Sequence, residues 1–315
     1  MGKLYRRVFG IPVAETRADR RGFRGRDATA RRRFETIGGT FVEGYHAGLE
    51  TGGGASLVAR LDGIAPERRG FAYEGAAMAL VLLDTMTPWR RDRWRTLLEG
   101  AGNRHAYMVH VGAGWGVARI GRSFERATRD MDPLLRWLVL DGWGFHDGYF
   151  HARRALDQRT VPARIAAGYP RRAYDQGLGR ALWFVEGAAV SSVAAAIERF
   201  DGRRRADLWS GIGLATAYAG AAESAALELL REAAGPHLDA VAQGAAFAAQ
   251  ARHRAGNMAP HTEAACRVLC GLPAEAAARY TVEALEDLPP DGDEPAYEIW
   301  RARLRARFAP VKVMS

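Results

Sequence analysis

"VGAGWGVAR", residues 111–119, decides between two architectures. Glycines this dense suggest a dinucleotide-binding loop at first sight, which needs a preceding strand, a third glycine in place and an acid further on. Position 117, where that glycine belongs, is Val117, and no strand-plus-acid pattern accompanies it. The stretch reads as helix instead. A glycine inside a helix costs about 1 kcal/mol relative to alanine. Glycine repeated there marks either backbones that must approach closely or room kept beside a ligand. "SGIGLATAYAG", residues 210–220, has the same character. Where such faces meet, the centre is a tight seam or an apolar tunnel, and the pattern fits both.

The surrounding chain carries the same helical period. Phe34, Ile37, Phe41, Tyr45 and Leu49 recur at three and four, and "TGGGAS" at 51–56 ends that run. Further helices are predicted at 56–62, 70–85, 88–100, 103–122, 132–156, 162–168, 171–199, 203–232, 235–255, 260–270, 273–287 and 293–308. Few stretches alternate with period two, so the fold class is all-α. A basic N-terminal arm covers 1–35, with Arg17–Arg33 as its densest run and Val8, Phe9 and Ile11 as contacts to the body. A single all-α domain follows over 36–310. Within it, "AYEGAAMAL" answers "FVEGAAVSS", "VGAGWGVAR" answers "SGIGLATAY", and "DGWGFHDGYFHARR" answers "QGAAFAAQARHRAG". Glu74 pairs in this way with Glu186, Gly142 with Gly244, Phe145 with Phe247 and His151 with His253. The expectation is an internally duplicated domain with a pseudo-two-fold repeat, one copy at about 70–156 and the other at about 180–256, around a central apolar cavity.

Composition narrows the function classes. With 48% hydrophobic and 26% charged residues, the chain is globular and long enough to bury a sizeable core. The net charge is +9, and Lys3 and Lys312 are the only lysines. An arginine-, alanine- and glycine-rich chain matches GC-rich coding as well as an anion-binding surface. No zinc-finger spacing, RNP-like strand or basic zipper supports a nucleic-acid partner. No run of eighteen apolar residues predicts a membrane span, and no apolar leader is evident. Cys266 and Cys270, four apart on one predicted helix, suit free thiols better than a disulfide. These features point to a cytoplasmic protein.

The common catalytic motifs are missing: no P-loop, no Gly-x-Ser-x-Gly elbow, no His-Glu-x-x-His. "HTEAACRVLC" (261–270) lacks the separate Pro-Cys-x-x-Cys of a zinc deaminase and reads as a helix start, so no metal site is expected. Asp130 and Asp132 resemble a Mg²⁺-binding pair, but Asp132 before Pro133 is a helix cap with proline at N1. The chemically suggestive residues are carboxylates in apolar company. Glu74 and Glu186, both followed by Gly-Ala-Ala, must find a partner or shift upward in pKa. They form either an acid/base pair in a cavity or ion pairs with Arg119 and Arg180. In "DGWGFHDGYFHARR" (141–154), Asp141, His146 and Asp147 have no counterparts in the second copy and are further catalytic candidates. Trp115, Trp143, Tyr149, Trp183 and Trp209 are candidates to line a substrate site, with Arg119 and Arg180 beside them.

Taken together, "GFAYEGAAMA", "HAYMVHVGAGWGVAR", "DPLLRWLVLDGWGFHDGYF", "GLGRALWFVEGA", "RADLWSGIGLATAYAG" and "AQGAAFAAQARHRAG" resemble the UnbL-type family of enediyne biosynthesis proteins, over about residues 5–305. The resemblance implies a place in actinobacterial secondary metabolism. Relatives accompany an iterative polyene-making polyketide synthase, an FG-GAP-repeat protein and a membrane electron-transport-like protein. It implies no catalytic residues and no cofactor. Three roles follow. One is an enzyme acting on a linear polyene or similar apolar intermediate. The second is a noncanonical isoprenoid (terpene) cyclase using buried carboxylates, with aromatic rings steadying cations. The third is a non-catalytic scaffold or carrier among other biosynthetic proteins.

Overall fold

The structure is a computed structural model that describes residues 2–87 and 89–309. Its described residues are all-helical, without a strand. Seven helices form the core: α1 (Ala28–Thr51), α2 (Pro66–Met86), α3 (Ala106–Ile120), α4 (Leu138–Phe150), α5 (Gly168–Val185), α6 (Gly202–Ala219) and α7 (Leu238–Ala255). From α2 to α7 the middle of each helix is buried all the way round, as expected of helices enclosed on all sides. Each packs on the next in chain order.

The core helices run parallel. Gly112 of α3 abuts Glu74 of α2, and Gly116, a turn later, abuts Met78. Parallel neighbours require a return segment each time. Short helices supply it, including Ala55–Asp62, Arg93–Glu99, Val190–Glu198 and Ser224–Ala234. Each buries one edge only, as Leu227, Leu230 and Ala234 do in the last.

Glycines set the spacing. A Cβ on Gly142 of α4 would collide with the Val111 carbonyl of α3, and one on Gly114 of α3 with the Val139 carbonyl of α4. The same reciprocal contact joins Gly144 to Gly177, Gly179 to Gly211 and Gly213 to Gly244. Residues two apart in a helix lie about 200° apart around its axis. The first glycine of each pair therefore faces the helix before, and the second faces the helix after. What recurs is a single helix. Gly142 and Gly244 hold the same place in it, as do Phe145 and Phe247 three residues on. The anticipated pairing of Glu74 with Glu186 does not hold: Glu74 precedes the seam glycine Gly75, whereas Glu186 lies beyond the C-terminal end of α5.

Two predicted helices are split. The run expected over 171–199 stops at Val185, where Gly187 and Ala188 take φ of 59° and 60°. The run over 203–232 stops at Ala219, where Gly220 and Ala221 both have φ of 75°. Left-handed residues end helices, and these two turns send the chain into its return segments. The segment 132–156 opens as a capped turn: the Asp132 carboxylate accepts the backbone N–H groups of Leu134 and Leu135, a 3-10 turn follows at Leu135–Trp137, and α4 begins at Leu138.

The row of helices curls on itself. Phe34 of α1 stacks on Phe184 of α5 with centroids 4.3 Å apart, and Phe71 of α2 meets Tyr218 of α6 edge-on at 5.2 Å. α3 likewise touches α7. Three C-terminal helices, α8 (Pro260–Leu269), α9 (Ala274–Glu283) and α10 (Ala296–Phe308), pack on α7. Residues 2–27 dock on the body: Ile11 and Phe23 are buried, Val8 faces outward, and the Arg24 N–H donates to the Val185 carbonyl at 2.7 Å.

This packing separates two kinds of helical glycine. Gly142→Ala should lower the unfolding free energy by about 2 kcal/mol or more, because backbone must move. Gly39→Ala, in α1 with nothing within 4 Å of its added Cβ, should raise it by up to about 1 kcal/mol. Urea unfolding midpoints of the two variants check this.

Candidate functional site

The side of each core helix between its two seams faces the middle of the curl. The residue before the first seam glycine points there, as does the residue three after it. In order, the preceding residues are Glu74, Val111, Asp141, Gln176, Ser210 and Gln243. Five of the six are polar, and all are buried. Buried polar groups must be paired, and from Asp141 to Gln243 they pair with one another. Gln176 Nε2 donates to Asp141 Oδ2 at 2.8 Å. Ser210 Oγ sits 3.3 Å from Gln176 Oε1 and 2.9 Å from Gln243 Oε1. Arg301 of α10 donates through Nε to Gln243 Oε1 at 3.2 Å and is ion-paired with Asp207 and Glu298. Arg172 holds Asp207 and Glu298 from the other side, at 3.1 and 2.7 Å.

Asp141 and Glu74 have different surroundings. Asp141 forms a fully buried ion pair with Arg180, and that guanidinium lies over the Phe145 ring, 4.6 Å from its centroid. Glu74 is 1% exposed and accepts one hydrogen bond, from Trp115 Nε1 at 3.0 Å. Burial raises the Glu74 pKa. Arg180 pulls it back in part, Asp141 adds to the rise, and the outcome is about 7. Glu74 can therefore give up or take a proton near neutral pH.

In place of one central tunnel, two narrow apolar hollows flank this group. The first lies inside the arc α1–α5, and each of these helices contributes to its lining, with Phe41, Glu74, Trp115, Phe145 and Phe184 among the side chains. Ile11 and Thr16 close it. The second lies inside the arc α3–α7, lined from each of these helices by residues that include Val111, Asp141, Arg180, Leu214 and Phe247. Tyr297 and Trp300 of α10 close that one. Each has about 30 Å³ of open space. The buried hydroxyls of Tyr149, on the first hollow, and Tyr218, on the second, have no hydrogen-bond partner among the described residues.

Of the candidates read from sequence, Glu74, Asp141, Trp115, Tyr149 and Arg180 come together here. His146 and Asp147 form a separate pair: His146 Nδ1 is 3.0 Å from Asp147 Oδ1, and the Tyr174 hydroxyl donates to Asp147 Oδ2 at 3.1 Å. Glu186 pairs with Arg24 at 2.7 Å beyond the end of α5. Arg119 donates to the Phe9 carbonyl at 3.3 Å, and Trp183 Nε1 to the Gly220 carbonyl at 2.9 Å. Trp143 and Trp209 are core residues outside the lining of either hollow. Sequence reasoning passed over Gln176, Ser210, Gln243, Tyr218 and Arg301. A polar residue directly before a helical glycine was the signal for the first three.

Among the described residues, no group of three His, Cys, Asp or Glu side chains is placed to hold a metal ion, and no helix is long and apolar enough to cross a membrane. Cys266 and Cys270 are free thiols beside the carbonyls of Ala245 and Ala242.

The raised Glu74 pKa makes stability depend on pH. Between the ordinary value of 4.5 and about 7, the folded protein keeps a proton that the unfolded chain has lost. This contribution makes stability fall as pH rises through that window, by about 3 kcal/mol in all. Glu74→Gln should remove that slope and be the more stable form relative to wild type above pH 7 than at pH 4.5, as thermal melts across the range would show. Arg180→Met should destabilise by roughly 3–5 kcal/mol, since Asp141 is left buried without its cation.

No curated protein and no solved structure matches the chain. A family model does match, over residues 1–308, and the chain belongs to that family, described as Protein of unknown function (DUF1702).

Proposed function

We propose that the protein binds a linear apolar chain, of the conjugated polyene kind made in secondary metabolism, and rearranges it by proton transfer at Glu74. The observation that carries this is a buried carboxyl group with a pKa of about 7, bonded to an indole and to no cation, on a hollow walled by aromatic rings. Glu74 adds its proton to one carbon of a double bond, and the π pair becomes the new C–H bond. The resulting cation spreads along the polyene and is faced by Phe41, Trp115 and Phe145. Loss of a proton from a neighbouring carbon to the Glu74 carboxylate restores the acid. The net change is a double-bond shift or a ring closure, with no oxidant consumed. Each hollow is narrow, so a thin chain enters by turning rings aside. The resemblance to enediyne biosynthesis proteins supports a polyene as the chain, handled in the cytoplasm beside other proteins of its pathway.

The same acid and rings suit an isoprenoid cyclase. Arg180 over Phe145 favours that alternative to the extent that it shows this ring already facing a cation. A scaffold or carrier would leave Glu74 idle.

Co-production with the polyene-forming enzymes, followed by native mass spectrometry and product analysis, tests the reading. Wild type should convert the bound chain, and in D₂O the product should carry solvent deuterium. Glu74→Gln should retain the chain while turnover falls roughly a hundredfold or more. Equal turnover in Glu74→Gln removes the acid role. A chain bound and released unchanged by both proteins makes this a carrier, and an empty protein ends the apolar-chain reading.

A further inference from the structure

Above the first hollow lies a surface cleft of about 340 Å³, lined by Thr29, Arg32, Arg33, Thr36, Glu67 and Arg68. Its floor is Ile37 and Phe71, and the same two side chains line the hollow below. Cleft and hollow are thus divided by a wall made of these two side chains. Phe71 stands three residues before Glu74 on α2, about 4.5 Å along the axis. Ile37 stands one turn before Phe41 on α1. A chain passing between Ile37 and Phe71 runs directly toward the Glu74 carboxyl.

The charges of the cleft are unequally committed. Glu67 is its one carboxylate, and Arg33 holds it at 2.6 Å while also donating to the Ala219 carbonyl. Arg32 donates to Thr29 Oγ1 at 3.2 Å, and Arg68 to Thr40 Oγ1 at 3.3 Å. Neither has a carboxylate within 4.0 Å among the described residues, in contrast to Arg24, Arg172, Arg180, Arg204 and Arg301. Arg68 is half-buried, so its charge is only partly hydrated. Two guanidinium groups at the mouth of an apolar hollow form a fork for planar or tetrahedral oxyanions.

We infer that the substrate is amphiphilic, with an anionic group at one end held by Arg32 and Arg68 in the cleft and an apolar chain reaching through the Ile37–Phe71 wall to Glu74. The inference rests on the apolar-chain reading and adds the head group and the direction of entry. The reacting double bond then lies a few carbons from the anion. A carboxylate and a phosphate ester share the required chemistry.

Parinaric acid, a fluorescent conjugated tetraene carboxylate, and its alcohol are the probes. The acid should bind at least about tenfold more tightly than the alcohol. Arg32→Ala and Arg68→Ala should each weaken the acid roughly three- to tenfold and leave the alcohol unchanged, while Arg68→Lys should recover part of the loss. Displacement of parinarate by farnesyl diphosphate but not palmitate identifies a phosphate head, and the reverse identifies a carboxylate. Equal affinity for acid and alcohol, or variants that weaken both alike, overturns the anion site while the apolar-chain reading stands. Binding of neither probe overturns both.

Discussion

The structure depends on one constraint, the contact of helix backbones across paired glycines. Where Gly114 meets Gly142, or Gly213 meets Gly244, no side chain separates the two helices. The contact sets spacing and register together. Displacing one helix by a residue would drive a Cβ into a carbonyl, so the seam tolerates no slip. Because neighbours are parallel, the same register passes from α3 to α7 without being inverted. The inward positions therefore line up as a row. That is how residues about a hundred apart in sequence, such as Asp141 and Gln243, come to share one hydrogen-bonded chain.

That row is an expensive core to build, since every polar atom in it has left water. Much of the cost is offset by charged pairs: Asp141 with Arg180 and Gln176, and Asp207 with Arg172 and Arg301. Glu74 stands apart. Its neighbour in the row is Val111, which offers no hydrogen bond, and its single donor is an indole. Two buried carboxylates in one site with such unequal partners are the usual basis for dividing acid and base roles. In this protein the inequality comes from which residue precedes the seam glycine on the adjoining helix.

Much of this was legible from the chain. Reading "VGAGWGVAR" as helix follows from the missing third glycine and strand, and close approach of backbones follows from the cost of glycine in a helix. Glu74 and Asp141 stand out as carboxylates in apolar company. The size of the recurring unit was harder to read. The return segments vary in length and composition, and the similarities that survive, 111–119 with 210–218 and 141–154 with 243–256, span three helices each. They suggest a doubled unit where the contacts display a helix-by-helix one. Grouping Asp141 with His146 and Asp147 had a simpler limit. Five or six residues along a helix lead to a different side, and only tertiary contact shows that Asp141 faces Arg180 while Asp147 faces Tyr174. Arg180 and Arg119 look alike in sequence, and only the fold places one in the core and the other against the Phe9 carbonyl.

Parallel helices have an electrical consequence. The peptide dipoles of α1–α7 point the same way, so their C-terminal ends share a partial negative charge that antiparallel bundles cancel between neighbours. Arginines gather on such carbonyls. Arg33 and Arg252 both donate to the last residues of α6, at Ala219 and Tyr218. The Trp183 indole and the His261 ring join them at Gly220 and Tyr218. Arg205 and Arg303 do the same at the ends of return and C-terminal helices. Lysine, with its strongly hydrated ammonium, is poorly suited to a buried carbonyl cluster. Part of the arginine excess behind the +9 charge is thus turned inward, onto carbonyls at helix C-terminal ends.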